Sequence, residues 1–276
     1  CKTRYHGDIH QRSNAFAMGN PALRLEHTHA VAIGWVKKNN KLEFMCAGTL
    51  ILESFVLTAA HCMAHKDTLE RPLVVRLGDR NLVQSIDKDY AHERKIRMIE
   101  THKNYDDETS HFDIAIVVLE DPAWISFGVI PACLWLEDEL PISTLYAAGW
   151  GASGFNQKPT NYLVTAVLHP VTNEYCTSVL KDKVLTKKKV NRIIDHQLCA
   201  AGNQMDTCPG DSGGPLYSKL NFANKLVPFL VGVTSYGGPC GFSQPAVYVR
   251  VSKFRDWIIE TIQKINPSVT ASTFDP

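Results

Sequence analysis

The chain has 276 residues, and 29 Lys and Arg against 28 Asp and Glu leave a formal net charge of +1. That balance excludes a globally basic nucleic-acid binder and an acidic solvating tail protein. Hydrophobic residues at 45% and charged residues at 21% are enough to bury a full core, which excludes wholesale disorder and fits one large domain or two small ones.

In chain order, residues 1–15 are polar and are expected to run over the surface. Short runs rich in Val, Ile, Leu and aromatics follow, bounded by Gly, Pro, Asn or Asp. Strands are predicted at Val31–Val36, Phe44–Leu50, Leu73–Leu77, Ile114–Leu119, Tyr162–Leu168, Leu226–Thr234 and Ala246–Val251. Many short strands point to a sandwich or to barrels. One helix is expected over Val251–Lys264, because Phe254, Trp257, Ile258, Thr261 and Ile262 recur at helical spacing and Pro267 stops it. The last residues, 266–276, read as a flexible tail. No signal peptide is visible, and the chain reads as a mature or trimmed form. The longest uncharged stretch, Leu226–Val249, carries three prolines and four glycines, which suits strands and turns rather than a membrane-spanning helix.

Eight cysteines spread from Cys1 to Cys240 suggest an oxidising compartment and hence secretion. Eight cysteines allow 105 pairings, so spacing alone does not give the connectivity. There is no C-x-x-C pair of the kind a zinc framework uses.

Three local signals carry chemistry. In Gly210-Asp211-Ser212-Gly213-Gly214-Pro215, glycines around a serine free the backbone to turn tightly, leave the hydroxyl exposed and let N–H groups converge on one point. Thr58-Ala59-Ala60-His61-Cys62 is a small-residue run ending near a histidine, and His111-Phe112-Asp113-Ile114-Ala115 sets an aspartate before an apolar run. A lone His or Asp of this kind is more often structural. Together, in the order His, Asp, Ser, the three resemble the chymotrypsin/trypsin-like serine proteases. Gly149-Trp150-Gly151, Ser235-Tyr236-Gly237 and the terminal helix with Trp257 resemble further landmarks of that family. The resemblance spans nearly the whole chain, and within the family it is closest to arthropod clip-domain (snake-type) and salivary proteases.

The resemblance implies an all-β fold of two packed six-stranded antiparallel barrels with a C-terminal helix. It divides the chain into an activation-segment-like stretch at 1–15 tethered by Cys1, a peptidase domain at 16–265 and the tail. It implies a triad of His61 as base, Asp113 as its orienting carboxylate and Ser212 as nucleophile, with the N–H groups of Gly210 and Ser212 as oxyanion hole. Asp206 would be the floor of the specificity pocket, pairing with substrate Arg or Lys. Thr207, Ser235, Tyr236, Gly237 and Ala246 would complete the substrate-binding surface, with residues 235–237 pairing to the substrate backbone. The implied disulfides are Cys1–Cys133, Cys46–Cys62, Cys176–Cys199 and Cys208–Cys240. Asp211 would receive the ammonium of an activated amino terminus.

Three departures from the family pattern stand out. Phe16-Ala17-Met18-Gly19 occupies the place of the usual activation terminus, after Ala15 rather than Arg or Lys, so Asp211 is expected to lack its usual ion pair. Ala246 and Pro239 stand where the pocket usually has glycine, which crowds a long side chain. The loop between Cys176 and Cys199 is long and holds Lys181, Lys183, Lys187, Lys188, Lys189 and Arg192. With Lys37, Lys38 and Lys41 these are candidate contacts for an acidic protein or a sulfated glycan, although solvated loops are the simpler reading.

No cofactor and no metal are expected, beyond a weak calcium site at Asp79 and Asp89, where Ile86 replaces a wanted carboxylate. The expected molecule is a secreted, monomeric endopeptidase cutting proteins after Arg or Lys, in a haemolymph or salivary setting. Its expected partners are protein substrates and a macromolecular inhibitor, without nucleic acid or membrane. The alternative is a zymogen-locked or inactive protease scaffold that binds a partner through its basic loops.

Overall fold

The computed structural model describes residues 1–6, 25–37, 40–63, 71–152, 159–181, 192–202, 210–238 and 244–274. Strands β1 (Ala30–Val36), β2 (Leu42–Leu52), β3 (Phe55–Thr58), β4 (Val74–Leu77), β5 (His92–Thr101) and β6 (Ala115–Leu119) close into a barrel in the order β1-β2-β3-β6-β5-β4. Closure leaves no unpaired edge. Every residue of β3 and β6 is buried, whereas β5 alternates half-buried and exposed positions. That is why β3, at four residues, and the charged run HERKIRMIET of β5 give little strand signal in the sequence.

The second sheet comprises β7 (Cys133–Leu134), β8 (Leu145–Gly149), β9 (Val164–Val171), β10 (Gln197–Ala201), β11 (Pro215–Phe222), β12 (Lys225–Gly237) and β13 (Ala246–Arg250). Its order is β11-β8-β9-β10-β13-β12-β7, and pairing of β11 with β12 closes the first six into a second antiparallel barrel. β7 is added outside it, parallel to β12. The β11–β12 hairpin turns on Ala223 and Asn224, both at positive φ (48° and 61°), between the paired residues Phe222 and Lys225. Such a two-residue turn matches strand twist and suits Asn. The two closed barrels are those expected from the resemblance.

α2 (Asn173–Leu180) is capped by Thr172, whose hydroxyl accepts the Tyr175 N–H. A 3-10 turn over Val251–Phe254 leads into α3 (Arg255–Ile265), which turns Ile258, Ile259 and Ile262 onto the first barrel's core. Among the described residues no helix is long and apolar enough to cross a membrane.

Both ends differ from expectation. Lys2–His6 form a short helix, α1, with Tyr5 and His6 buried rather than lying on the surface. The Tyr5 hydroxyl donates to Glu53 at 2.7 Å, Arg4 pairs with Glu53 at 2.8 Å, and His6 Nε2 meets the Pro131 carbonyl at 3.0 Å. Five residues are too few to show a helical period, and these partners are remote in sequence. In the expected flexible tail, Val269 and Phe274 are buried and join the core, anchoring the otherwise mostly exposed stretch 266–274. Disulfides join Cys1–Cys133, Cys46–Cys62 and Cys176–Cys199. Cys208 and Cys240 lie outside the described residues.

Candidate active site

His61 sits in a 3-10 turn, Ala60–Met63, directly after β3. Asp113 precedes β6, and β3 and β6 pair through Thr58 and Ala115, so the two side chains leave neighbouring strand ends of one barrel. The Asp113 carboxylate holds the histidine twice. His61 Nδ1 lies 2.8 Å from Oδ2, and the His61 backbone N–H donates to Oδ1 at 2.9 Å. Two bonds from one residue fix the imidazole's orientation and set its proton on Nδ1, leaving Nε2 as the acceptor. Asp113 is fully buried while the His61 side chain is 23% exposed. Burial by itself raises the Asp113 carboxyl. The adjacent His61 ring and the bonds from His61 and Ser235 outweigh that and hold it below its ordinary range.

Ser235 is expected from sequence to touch substrate. That pairing would use its backbone; its hydroxyl donates to Asp113 Oδ2 at 2.5 Å. Asp113 thus takes bonds from both barrels, because Ser235 lies in β12.

Ser212 lies on a loop pinned to both barrels. Its carbonyl accepts the N–H of Ala47 in β2 at 2.8 Å, while Gly213 N–H donates to Thr234 O and Thr234 N–H returns to Gly214 O. Gly213 has φ +77°, and a Cβ there would strike the Thr58 hydroxyl and the Ala47 carbonyl. Gly210 has φ +103°, with Gly151 Cα close against it. A side chain at either position is excluded by conformation and by space. The Cys62 sulfur lies 3.8 Å from His61 Nε2 and 3.5 Å from the Ser212 carbonyl oxygen. The free imidazole nitrogen and the Ser212 loop therefore share a neighbour, and the Cys46–Cys62 bridge braces both.

Asp211 does not stand alone. Its Oδ1 accepts the Gly151 N–H at 2.7 Å, and the carboxylate occupies the room that side chains at Gly149 and Gly151 would fill. This gives Gly149-Trp150-Gly151 a physical reason: the two glycines make the cradle, and Trp150 Nε1–H anchors it by donating to the Arg80 carbonyl at 3.2 Å.

Ala246 is buried at the start of β13, opposite Gly237 of β12. Its methyl lies 3.2 Å from where a Cβ on Gly237 would be, so a side chain there would press tightly on this wall. Tyr236 and Gly237 are partly exposed at the end of β12. Asp206 and Thr207 lie outside the described residues, as do Pro239 and the segment Phe16–Gly19.

The Asp79/Asp89 loop differs from a two-acid site. Asp89 is exposed, whereas Asp79 and Asp87 are both buried, and the Arg80 guanidinium grips Asp87 at 2.9 and 3.1 Å. Asp79 Oδ1 accepts the Asn81 N–H, and its buried Oδ2 has no donor among the described residues. Of the basic loops, Lys37 and Lys41 each lie 3.9 Å from Glu43. Lys181 and Arg192 are exposed, and the lysines between them fall outside the described residues, as does Lys38.

The family description "Trypsin" matches residues 19–258, and the chain belongs to the trypsin family. It is similar to two proteins of Drosophila melanogaster. "Serine protease snk" is 35% identical over 247 residues, covering 87% of this chain and 55% of that protein. "Serine protease Hayan" is 33% identical over 238 residues, covering 84% of this chain and 36% of that protein. The chain thus spans only part of the length of these relatives. Among solved structures, neuropsin, a serine protease expressed in the limbic system of mouse brain, superposes with a TM-score of 0.69 at 26% identity. That match covers 88% of this chain and 98% of neuropsin.

Proposed function

We propose that the chain is a serine endopeptidase that cuts proteins after Arg or Lys through an acyl-enzyme. The observation that carries this reading is the double hold of buried Asp113 on His61, with Nε2 3.8 Å from the Cys62 sulfur, which itself lies 3.5 Å from the Ser212 carbonyl oxygen. In this mechanism His61 Nε2 takes the proton of Ser212 as its Oγ attacks the scissile carbonyl carbon. The N–H groups of Gly210 and Ser212 stabilise the oxyanion, and losing one such donor would slow the reaction roughly 100- to 1,000-fold. The intermediate collapses as His61 gives its proton to the leaving amine. Water then repeats the sequence to free the acid and restore Ser212. The substrate backbone pairs with Ser235–Gly237, and Asp206 draws the Arg or Lys side chain past the wall that Ala246 narrows. The proposed chemistry assigns no step to a metal.

The disulfides fit a secreted enzyme, and the two Drosophila serine proteases fit a protease; the proposal is completed by a monomer of limited proteolysis in a haemolymph or salivary setting, held in check by a macromolecular inhibitor. Lys181 and Arg192 are the described part of a basic surface for an acidic protein or a sulfated glycan. The test is hydrolysis of fluorogenic peptides carrying Arg, Lys, Phe or Ala before the scissile bond, with Ser212→Ala as control. Turnover after Arg or Lys, lost in the control, is the expected result. No turnover above the control contradicts the proposal and favours a zymogen-like or binding scaffold.

A further inference from the structure

The backbone that delivers Asp113 is bent at two side-chain-bearing residues, Ser110 (φ 54°) and Phe112 (φ 55°). Both lie in the left-handed region that L-residues seldom occupy, so the surroundings must hold them there. The Phe112 N–H belongs to no strand ladder. It donates to Nε2 of His196, a residue 84 positions away in the segment leading to β10, at 3.3 Å. The His196 ring also packs on the Phe112 ring with centroids 4.3 Å apart, and His102 stacks on Phe112 at 4.9 Å, nearly parallel. Phe254, entering α3, closes the group edge-on to both histidines.

We propose that His196 is a positioning residue for Asp113: its Nε2 takes the Phe112 N–H and holds the bend that aims the carboxylate at His61. This rests on the protease reading given above. The bond requires a neutral ring with its proton on Nδ1, because a protonated imidazole has no acceptor left. The surroundings favour that state. Burial pushes His196 down to about 4, the nearby His111 and His102 push the same way, and only Asp195 opposes them. Asp195 is exposed and engaged by Lys253, which Asp138 also pairs. His111 faces His196 edge-on at 5.5 Å, and Arg250 reaches it only through its backbone N–H.

Two substitutions separate hydrogen bonding from packing. His196→Phe keeps a ring and loses the acceptor, whereas His196→Gln keeps a neutral acceptor and loses the ring. The expected result is a fall of about tenfold in kcat with KM little changed for His196→Phe, and kcat restored to within about threefold by His196→Gln. Amide exchange at Phe112 should be slow in the unsubstituted chain and in His196→Gln, and faster in His196→Phe. Wild-type kinetics and exchange in His196→Phe, or a larger loss in His196→Gln than in His196→Phe, overturn the proposal. Neither exchange nor the ring tautomer depends on turnover. If the unsubstituted chain shows no turnover, the protease reading fails while these two readouts still decide the role of His196. In the unsubstituted chain, a long-range proton–nitrogen spectrum should show His196 protonated on Nδ1 only. A proton on Nε2 overturns the proposal even if no variant folds.

Discussion

Asp211 Oδ1 accepts the Gly151 N–H at 2.7 Å, and the carboxylate fills the space left by the absent side chains of Gly149 and Gly151. The residue beside the proposed nucleophile is therefore locked to the end of β8, and the Gly210–Ser212 backbone is set by that lock. Gly151→Ala puts a methyl where the carboxylate lies. We predict a loss of about 100-fold in kcat/KM with the fold retained, because the proposed oxyanion donors, Gly210 and Ser212, flank Asp211. Peptide kinetics together with circular dichroism check this, and unchanged kinetics would refute it.

The Ser235 hydroxyl supplies a bond to Asp113 from the opposite barrel. Ser235→Ala leaves Oδ2 with one donor fewer in a fully buried site. A roughly 10- to 100-fold fall in kcat is expected, on the scale of a hydrogen bond to a buried charge. A change confined to KM would instead assign Ser235 to substrate contact alone.

Three buried histidines make folding stability depend on pH. Burial holds His27 down at about 3, lowers His29 well below its ordinary value, and lowers His6. His27 is bonded on both ring nitrogens, to Thr165 and Tyr217, with the Glu26–Lys219 pair nearby. The unfolded chain binds protons near pH 6.5 while the folded chain refuses them. Stability is thus fully present above pH 6.5 and falls as pH drops toward the folded values. Each such histidine contributes about 1.4 kcal/mol per pH unit in that window. Urea titrations between pH 7 and pH 5 should show the fall, and a flat profile would contradict it.

Both ring nitrogens of His29 are buried with no partner among the described residues, against the Tyr217 ring at 4.6 Å. Replacing an unsatisfied buried polar ring by an apolar one of similar size removes a desolvation cost. His29→Leu is predicted to raise stability by about 1–3 kcal/mol at neutral pH and to flatten the pH dependence. Equilibrium unfolding measures both, and a destabilised variant would show that His29 has a partner role.

The Cys1–Cys133 bridge ties α1 to the strand appended to the second barrel, across 132 positions of sequence. The double Cys1→Ser, Cys133→Ser variant should lose about 2–5 kcal/mol. Activity at low temperature should stay within about twofold, because the bridge holds neither His61 nor the Ser212 loop. A large loss of activity in a folded variant would place α1 in control of the site.

Much of this was legible in the sequence because the proposed reacting groups lie in short local patterns. His61, Asp113 and Ser212 are marked by their neighbours, and Gly210 and Gly213 by a backbone that admits nothing else. What escaped depends on contacts remote in sequence. Tyr5 is buried by a carboxylate at Glu53, Phe274 by a core built from other segments, and His196 meets Phe112 across 84 positions. Asp87 carries no signal in the sequence, because its burial beside Arg80 shows only in the structure. Strands β3, β5, β7, β8, β10 and β11 lie outside the predicted runs; β3 is too short to show a period and β5 too charged to read as half-buried.

The most direct measurement of the central claim is covalent labelling with a fluorophosphonate. The phosphorus forms a bond to the nucleophile's oxygen as fluoride leaves, so only an activated serine reacts at speed. The account predicts a single adduct on the peptide bearing Ser212, absent in Ser212→Ala and formed far more slowly in Asp113→Ala. An unlabelled chain, or a rate unchanged by loss of Asp113, would contradict it.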